Sequence, residues 1–260
     1  MAKAQYFGVG GVARKVKSIP FGIGNVARNV KSGYFGVGGV ARQFLQGGIT
    51  LGDLDVGTVV KLNEHGTPQE YIIVNKGNPD GSKYDSTCDG IWLMRNLLHS
   101  IHKWNSSGSQ DYSVCDIHNY INKYFIKFFD SSIQNSIKTV KIPYYDGDTT
   151  HVLSNGVSCK LFLLSGYELG STSTSPFLPY DGAALSYFKG DLDSKRIAYL
   201  DGRADYWWTR SPDYASTYIC YVNSYGAINS KLPNYTYGLR PALIMPYDLL
   251  VDDEMNIIAA

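Results

Sequence analysis

Two short runs near the C-terminus constrain this chain more than anything else in it: Tyr206-Trp207-Trp208-Thr209-Arg210-Ser211-Pro212 and Gly238-Leu239-Arg240-Pro241-Ala242-Leu243. Each carries an arginine, expected to be buried or half-buried. A guanidinium held there must find loop carbonyls or a carboxylate, so Arg210 and Arg240 are expected to fix structure and not to touch a ligand. Adjacent residues on a strand point to opposite faces, so one of Trp207 and Trp208 should fill the core while the other lies toward the surface. The 25 residues between the runs, 213–237, differ in kind: fifteen are Tyr, Asn, Ser, Thr or Asp, and Asp213 and Lys231 are the only charges. Tyr offers large, stiff contact area plus a hydroxyl, and Ser and Asn add adaptable hydrogen bonds, which is the chemistry of paratopes. Tyr as ordinary strand filler is the competing reading. The Asn and Asp content argues against it, because both disfavour strands.

Two anchored runs bracketing a Tyr/Asn/Ser-rich stretch resemble the C-terminal part of C-type lectin-fold variable proteins, the targets of diversity-generating retroelements in phages and bacteria. The resemblance rests on residues 207–212, on Val222 and Gly226, and on residues 238–243. In that family, mutagenesis at template adenines scatters Asn-type codons into Tyr, Ser, Thr, Asp and others while the framework stays fixed. A related group of prophage domains shares the framework without diversification. The resemblance implies a C-type lectin-like α+β fold and a non-catalytic surface that binds a bacterial surface protein or glycan. The residues expected to carry it are Tyr214, Ser216, Tyr218, Asn223, Tyr225, Asn229, Lys231, Asn234 and Tyr235, with Trp208 or Trp207 at the edge. Within the interval, Ile219 and Val222 should face the core. The rival is an invariant virion decoration or tail protein; a polysaccharide-acting enzyme would need an acid pair in a cleft.

Residues 6–47 repeat with a period of 14, in three copies that begin at Tyr6, Pro20 and Tyr34. Phe7/Phe21/Phe35, Val9/Ile23/Val37 and Val12/Val26/Val40 recur as apolar knobs on a Gly-rich backbone. Each unit is too small to offset its own ordering entropy, so docking or oligomerisation is the expected use. The repeats resemble N-terminal attachment modules of phage structural proteins. No copy completes a dinucleotide or phosphate-loop fingerprint. Residues 1–48 carry seven Lys and Arg and no acid, which leaves −6 on the remainder of a chain whose net charge is +1. Nucleic acid is nevertheless set aside as a partner, since a regular Phe/Val pattern would be wasted on a purely electrostatic tail. The expected division is therefore a repeat anchor over 1–48 and a ligand-binding domain over 49–260.

Charged residues make up only 18%, against 27 Gly and 21 Tyr, which suits a loop-rich, aromatic-packed domain better than a helical bundle. Strands are expected at 58–62 and 70–74 around a Gly66-Thr67-Pro68 turn, and again at 158–164, 206–210, 217–223 and 239–245. Residues 90–98 read as strand or helix. Asp116 opens a helix whose apolar face is Ile117, Tyr120, Ile121, Tyr124, Phe125 and Phe128. Ser131 or Ser132 can cap a second helix with Ile133 and Ile137. Central helices enclosed by terminal strands is the order of a lectin-like domain, whose ends meet in one sheet.

No catalytic residue, cofactor or metal site is expected. His99/His102 and Cys115/His118 are two-ligand fragments that lack the third and fourth ligand of a zinc site. The acidic turns at Asp146-Gly147-Asp148 and Asp191-Leu192-Asp193 do not resemble the twelve-residue calcium loop. Cys88, Cys115, Cys159 and Cys220 read as buried free thiols. Neither a signal segment nor a membrane span is found, so synthesis in a bacterial cytoplasm and action on a virion surface or tail are expected.

Overall fold

The computed structural model describes residues 6–9, 12–15, 20–23, 26–29, 32–37, 40–46, 48–146, 152–171, 178–190, 192–213 and 215–259, with backbone alone for 6–46, 152–155 and 192. The chain divides into two compact units, Met1–Ile49 and Thr50–Ala260. In the first unit each repeat copy is one antiparallel hairpin: Tyr6–Val9 with Val12–Lys15, Pro20–Ile23 with Val26–Asn29, and Ser32–Val37 with Val40–Gln46. The registers are equivalent, closing at Val9↔Val12, Ile23↔Val26 and Val37↔Val40. In sequence, the residues between the paired strands are Gly-Gly, Gly-Asn and Gly-Gly. One period thus supplies one pair of antiparallel strands, and a lone pair is marginal in water.

Among the described residues, short strands at Ala198–Leu200, Arg203–Asp205, Leu250–Val251 and Ile257–Ile258 and a short helix at Leu192–Arg196 accompany the twelve strands and two helices that carry the second unit's main sheets and candidate surface. In chain order they are β1 (Val59–Glu64), β2 (Thr67–Lys76), β3 (Ile91–Arg95), β4 (Ile101–Lys103), α1 (Asp116–Lys123), α2 (Ser131–Ser136), β5 (Val140–Tyr145), β6 (Val152–Cys159), β7 (Leu161–Phe162), β8 (Trp207–Pro212), β9 (Ile219–Val222), β10 (Ile228–Lys231), β11 (Thr236–Gly238) and β12 (Ala242–Met245). One sheet has the order β7-β12-β3-β2-β1, and a second has the order β4-β11-β8-β9-β10. All their pairings are antiparallel except β8 with β11. The protein is therefore α+β, built mostly of strands in several antiparallel sheets with a few short helices. In the first sheet β12 and β2 lie on either side of β3, and the short strands Leu250–Val251 and Ile257–Ile258 that follow β12 form a separate sheet with Ile49–Thr50.

Residues 91–95 are buried throughout, because β3 is central and covered on both faces. That continuous burial is why periodicity left 90–98 ambiguous. The β1–β2 link is His65-Gly66, with φ of 50° and 79°, and not the expected Gly66-Thr67-Pro68. Positive φ at both central residues matches the twist of the flanking strands and lets Thr67 and Pro68 join β2. Helix α1 ends at Lys123, earlier than its apolar pattern suggested, and Phe125–Phe128 continue as a 3-10 turn. Ile117, Ile121 and Phe125 are buried whereas Tyr124 is exposed. The Asn122 side chain ties α1 to β7, donating to Leu161 O at 2.8 Å and accepting from Leu161 N at 3.0 Å. The N-cap position of α2 is Asp130, not Ser131 or Ser132, and Ile133 and Ile137 are buried as expected.

Candidate functional site

Everything in the interval hangs from β8. Trp207 pairs with Val222 and Trp208 with Tyr221, but the register then slips until Pro212 meets Ile219. Within the slip, Arg210 N turns to Leu164 O at 3.0 Å, which carries the Arg210 side chain into the interior. There Nη1 and Nη2 reach Glu168 at 2.5 and 2.7 Å, and Nε, Nη1 and Nη2 donate to Pro143 O, Leu163 O and Asp181 O. Ser211 Oγ donates to the Asp181 carboxylate at 2.8 Å, and Tyr84 Oη donates to Glu168 at 2.7 Å. Arg240 is equally buried and donates to Arg95 O and Asn96 O, with its guanidinium 5.0 Å over the Trp207 ring. Both arginines take the structural role expected of them. Glu168, Asp181 and Tyr84 were not foreseen; the only hint was that a buried guanidinium demands a carboxylate somewhere.

Burial pushes the Asp181 carboxyl up to about 6, against the pull of Arg210 and the Ser211 hydroxyl. An unfolded Asp titrates near ~3.9. The native state therefore holds this proton more tightly, so the group's stabilising contribution is complete below pH ~4 and is lost as pH rises through about 6. The stability of the protein relative to its Asp181→Asn variant should accordingly fall between pH ~4 and ~6 and level off above. Urea denaturation of both proteins across that window measures it, and a difference independent of pH would rule the linkage out.

Trp208 corrects an expectation. The two tryptophans do point to opposite faces, yet both are fully buried, so neither lies at the edge of an exposed patch. Trp207 Nε1 donates to Arg196 O on one side. On the other, Trp208 Nε1 donates to His102 O, and the ring is roofed by Tyr237 at 4.7 Å and Tyr221 at 6.2 Å. Tyr206 completes the roof, 5.6 Å from Tyr221 and 5.4 Å from Tyr237. Strand alternation gave the faces correctly but could not show that Tyr221 of β9, Tyr237 of β11 and Tyr206 just before β8 meet over one of them.

Around this roof the expected surface residues divide. Tyr225 is 78% exposed, Tyr235 45% and Tyr218 39%, and Ser216, Asn229 and Asn234 are exposed. Lys231 is half-buried, with its ammonium 4.6 Å over the Tyr235 ring. Asn223 builds structure instead of reaching out: its Oδ1 accepts from Tyr225 N and Ala227 N. Tyr214 lies outside the described residues. Ile219 and Val222 are fully buried, as expected. Gly226 closes the β9–β10 turn at φ 87°, and a Cβ there would stand 1.9 Å from Asp193 O. The preceding loop is held by Gln110, whose amide donates to Asp213 O, Ser216 O and Tyr218 O. Nothing in the sequence marked Gln110.

Beside the roof, α1 and the β4 edge enclose an open groove of about 650 Å³. It is lined by Lys103, Asp116, Asn119, Tyr120, Lys123 and Tyr124 among others, and Thr236 of β11 joins it to the tyrosine surface. The histidines of the expected two-ligand fragments pack against rings. His99 lies edge-on to Phe125 and Phe128, His102 lies on Tyr120, and His118 is edge-on to Tyr112. Burial pulls His99 and His118 down to about 4, so both are neutral at neutral pH. Among the described residues no group of three or more His, Cys, Asp or Glu is placed to hold a metal ion. The turn at Asp146-Gly147-Asp148 and that at Asp191-Leu192-Asp193 fall partly outside the described residues. The four cysteines are free and buried, and burial pushes the Cys88 and Cys159 thiols up to about 12.

Fold and surface together define an α+β protein in which a polar, tyrosine-rich face lies over a rigid buried framework. The chain belongs to the family described as a domain of unknown function (DUF6273), whose pattern matches residues 89–247. No curated protein and no solved structure matches it.

Proposed function

We propose that this chain is a non-catalytic phage or prophage virion protein whose C-type lectin-like head displays a diversified Tyr/Asn/Ser-rich surface to a bacterial surface protein or glycan. Residues 1–48 dock it on other virion proteins. One observation carries the reading. Across residues 206–243, Trp207, Trp208, Arg210 and Arg240 are inside, whereas Tyr218, Tyr225, Asn229, Asn234 and Tyr235 reach solvent. Surface positions away from such anchors tolerate substitution within about ±0.5 kcal/mol, so this segregation lets the interval vary while the fold stays fixed. The Gln110 clamp and the buried arginines pre-order the loop, which lowers the entropy lost on binding.

The test is adhesion of the full chain to host cells. A variant with Tyr218→Ala, Tyr225→Ala and Tyr235→Ala should lose about 30-fold in affinity or more, since truncating one central aromatic anchor typically costs ~2 kcal/mol. Its melting temperature should move by less than ~4 °C. Full adhesion by this folded variant would favour the invariant decoration protein instead. Diversification has its own test: the encoding locus should contain a reverse transcriptase and a template repeat matching the codons of residues 213–237.

A further inference from the structure

We infer that the groove between α1 and β4 is a saccharide-binding subsite continuing the tyrosine surface, an inference that rests on reading the head as a binding module. One wall is a single helical stripe. Asp116, Asn119, Tyr120, Lys123 and Tyr124 fall at i, i+3, i+4, i+7 and i+8, so a carboxylate, an amide, an ammonium and two phenols face one way. Ile101 and Lys103 of β4 stand across from them, with Ile101 exposed.

Two acceptors on that stripe are held still. Asp116 Oδ2 accepts from Ser106 N at 2.7 Å, and the Asn119 amide donates to Val114 O at 3.0 Å. Each side chain is thereby oriented, while Asp116 Oδ1 and Asn119 Oδ1 have no protein partner among the described residues. Lys103 and Lys123 bring donors, and the Lys123 ammonium lies 5.3 Å over the Tyr124 ring. The floor is aromatic: the His102 and Tyr120 rings are 4.1 Å apart, and Tyr124, half-exposed at 51%, lies 6.0 Å from Tyr120.

This combination fits a sugar better than other ligands. Vicinal hydroxyls both donate and accept, so they match fixed oxygens set beside ammonium donors. The negative faces of the tyrosine rings attract the polarised C–H groups of a pyranose. An apolar peptide segment would strip water from Asp116 and two lysines without replacing its hydrogen bonds, which is costly. At about 650 Å³ the groove has the volume of a small-ligand site. It is also contiguous with the patch, since Thr236 lines the groove while its neighbours Tyr235 and Tyr237 belong to the tyrosine surface. A glycan chain can occupy both.

The experiment is a printed array of bacterial-surface oligosaccharides probed with the full chain. NMR titration with the best array saccharide follows, beside neutral chitotetraose and acidic tetragalacturonate. At least one saccharide should bind and shift the amide signals of Asn119, Lys123 and Tyr124. Its affinity should fall about 10-fold or more in Tyr124→Ala and in Asp116→Asn. Tyr124 is half-exposed, so the first variant stays folded even if the second does not. A blank array, or saccharide binding that neither variant weakens, overturns the subsite. Cell adhesion of the triple tyrosine variant reads the other surface separately. Lost adhesion with a blank array overturns the groove and keeps the binding head. Unchanged adhesion with a Tyr124-dependent saccharide signal keeps the groove and overturns the tyrosine surface.

Discussion

Ile219→Asp is expected to abolish folding of the second unit, and Tyr225→Ala, further along the same segment, to leave its melting temperature almost unchanged. Ile219 is fully buried on β9 between β8 and β10, opposite Pro212 and Lys231 in register. Asp213, itself buried, lies close by in chain and space, since its amide donates to Tyr218 O. Lys231 stands opposite, but its ammonium lies over the Tyr235 ring, so a second acid placed here has no cation at the buried end of its side chain unless Lys231 leaves that ring. It must stay charged out of water or take up a proton, and the effective penalty is several kcal/mol, against a net stability of roughly 5–15 kcal/mol for a whole domain. Tyr225 is 78% exposed, and truncating it should change stability by no more than about 0.5 kcal/mol. Tryptophan emission reads the outcome directly, because Trp92, Trp104, Trp207 and Trp208 are all buried and shift to the red on unfolding. Equal losses in the two variants would defeat the division of this segment into framework and surface.

What could be read from the sequence followed from short-range rules. The faces of Trp207 and Trp208 came from strand alternation, the buried side of α1 from 3.6-residue spacing, and the structural role of Arg210 and Arg240 from the need of a buried or half-buried guanidinium for carbonyls or a carboxylate. What was missed depends on residues distant in sequence. Trp208 is covered by Tyr221 of β9 and Tyr237 of β11, which lie 13 and 29 positions further along the chain. The Gln110 clamp spans more than a hundred positions to residues 213–218. Tyr124 shows a different failure. It occupies an apolar position of the helical pattern, yet it stands at the end of α1, exposed and lining the groove. Periodicity could not tell this tyrosine from its buried neighbours, because the type suits both settings.

Glu168 makes the same point inside the protein, where it partners a fully buried arginine. Four donors converge on its carboxylate: Arg210 Nη1 and Nη2, Tyr84 Oη and the Ser165 amide, at 2.5, 2.7, 2.7 and 2.9 Å. Glu168→Gln keeps the volume but replaces one oxygen with an NH2 group, so in either orientation of the amide at least one Arg210 N–H meets a donor. It also removes the charge that neutralises a wholly buried Arg210. Removing one partner of a buried pair costs ~3–5 kcal/mol, which for a unit of this size lowers Tm by ~6–20 °C. Replacing Arg210 as well should not restore stability, because Met at that position would leave the carbonyls of Pro143, Leu163 and Asp181 without their donor. The Lys83–Asp80 pair, 3.8 Å apart and about one-third exposed, is the control, with Lys83→Met expected to cost less than ~1 kcal/mol. Calorimetry of the three variants decides the matter. If Glu168→Gln melts within ~2 °C of the parent protein, the Arg210 cluster does not hold the framework under the interval.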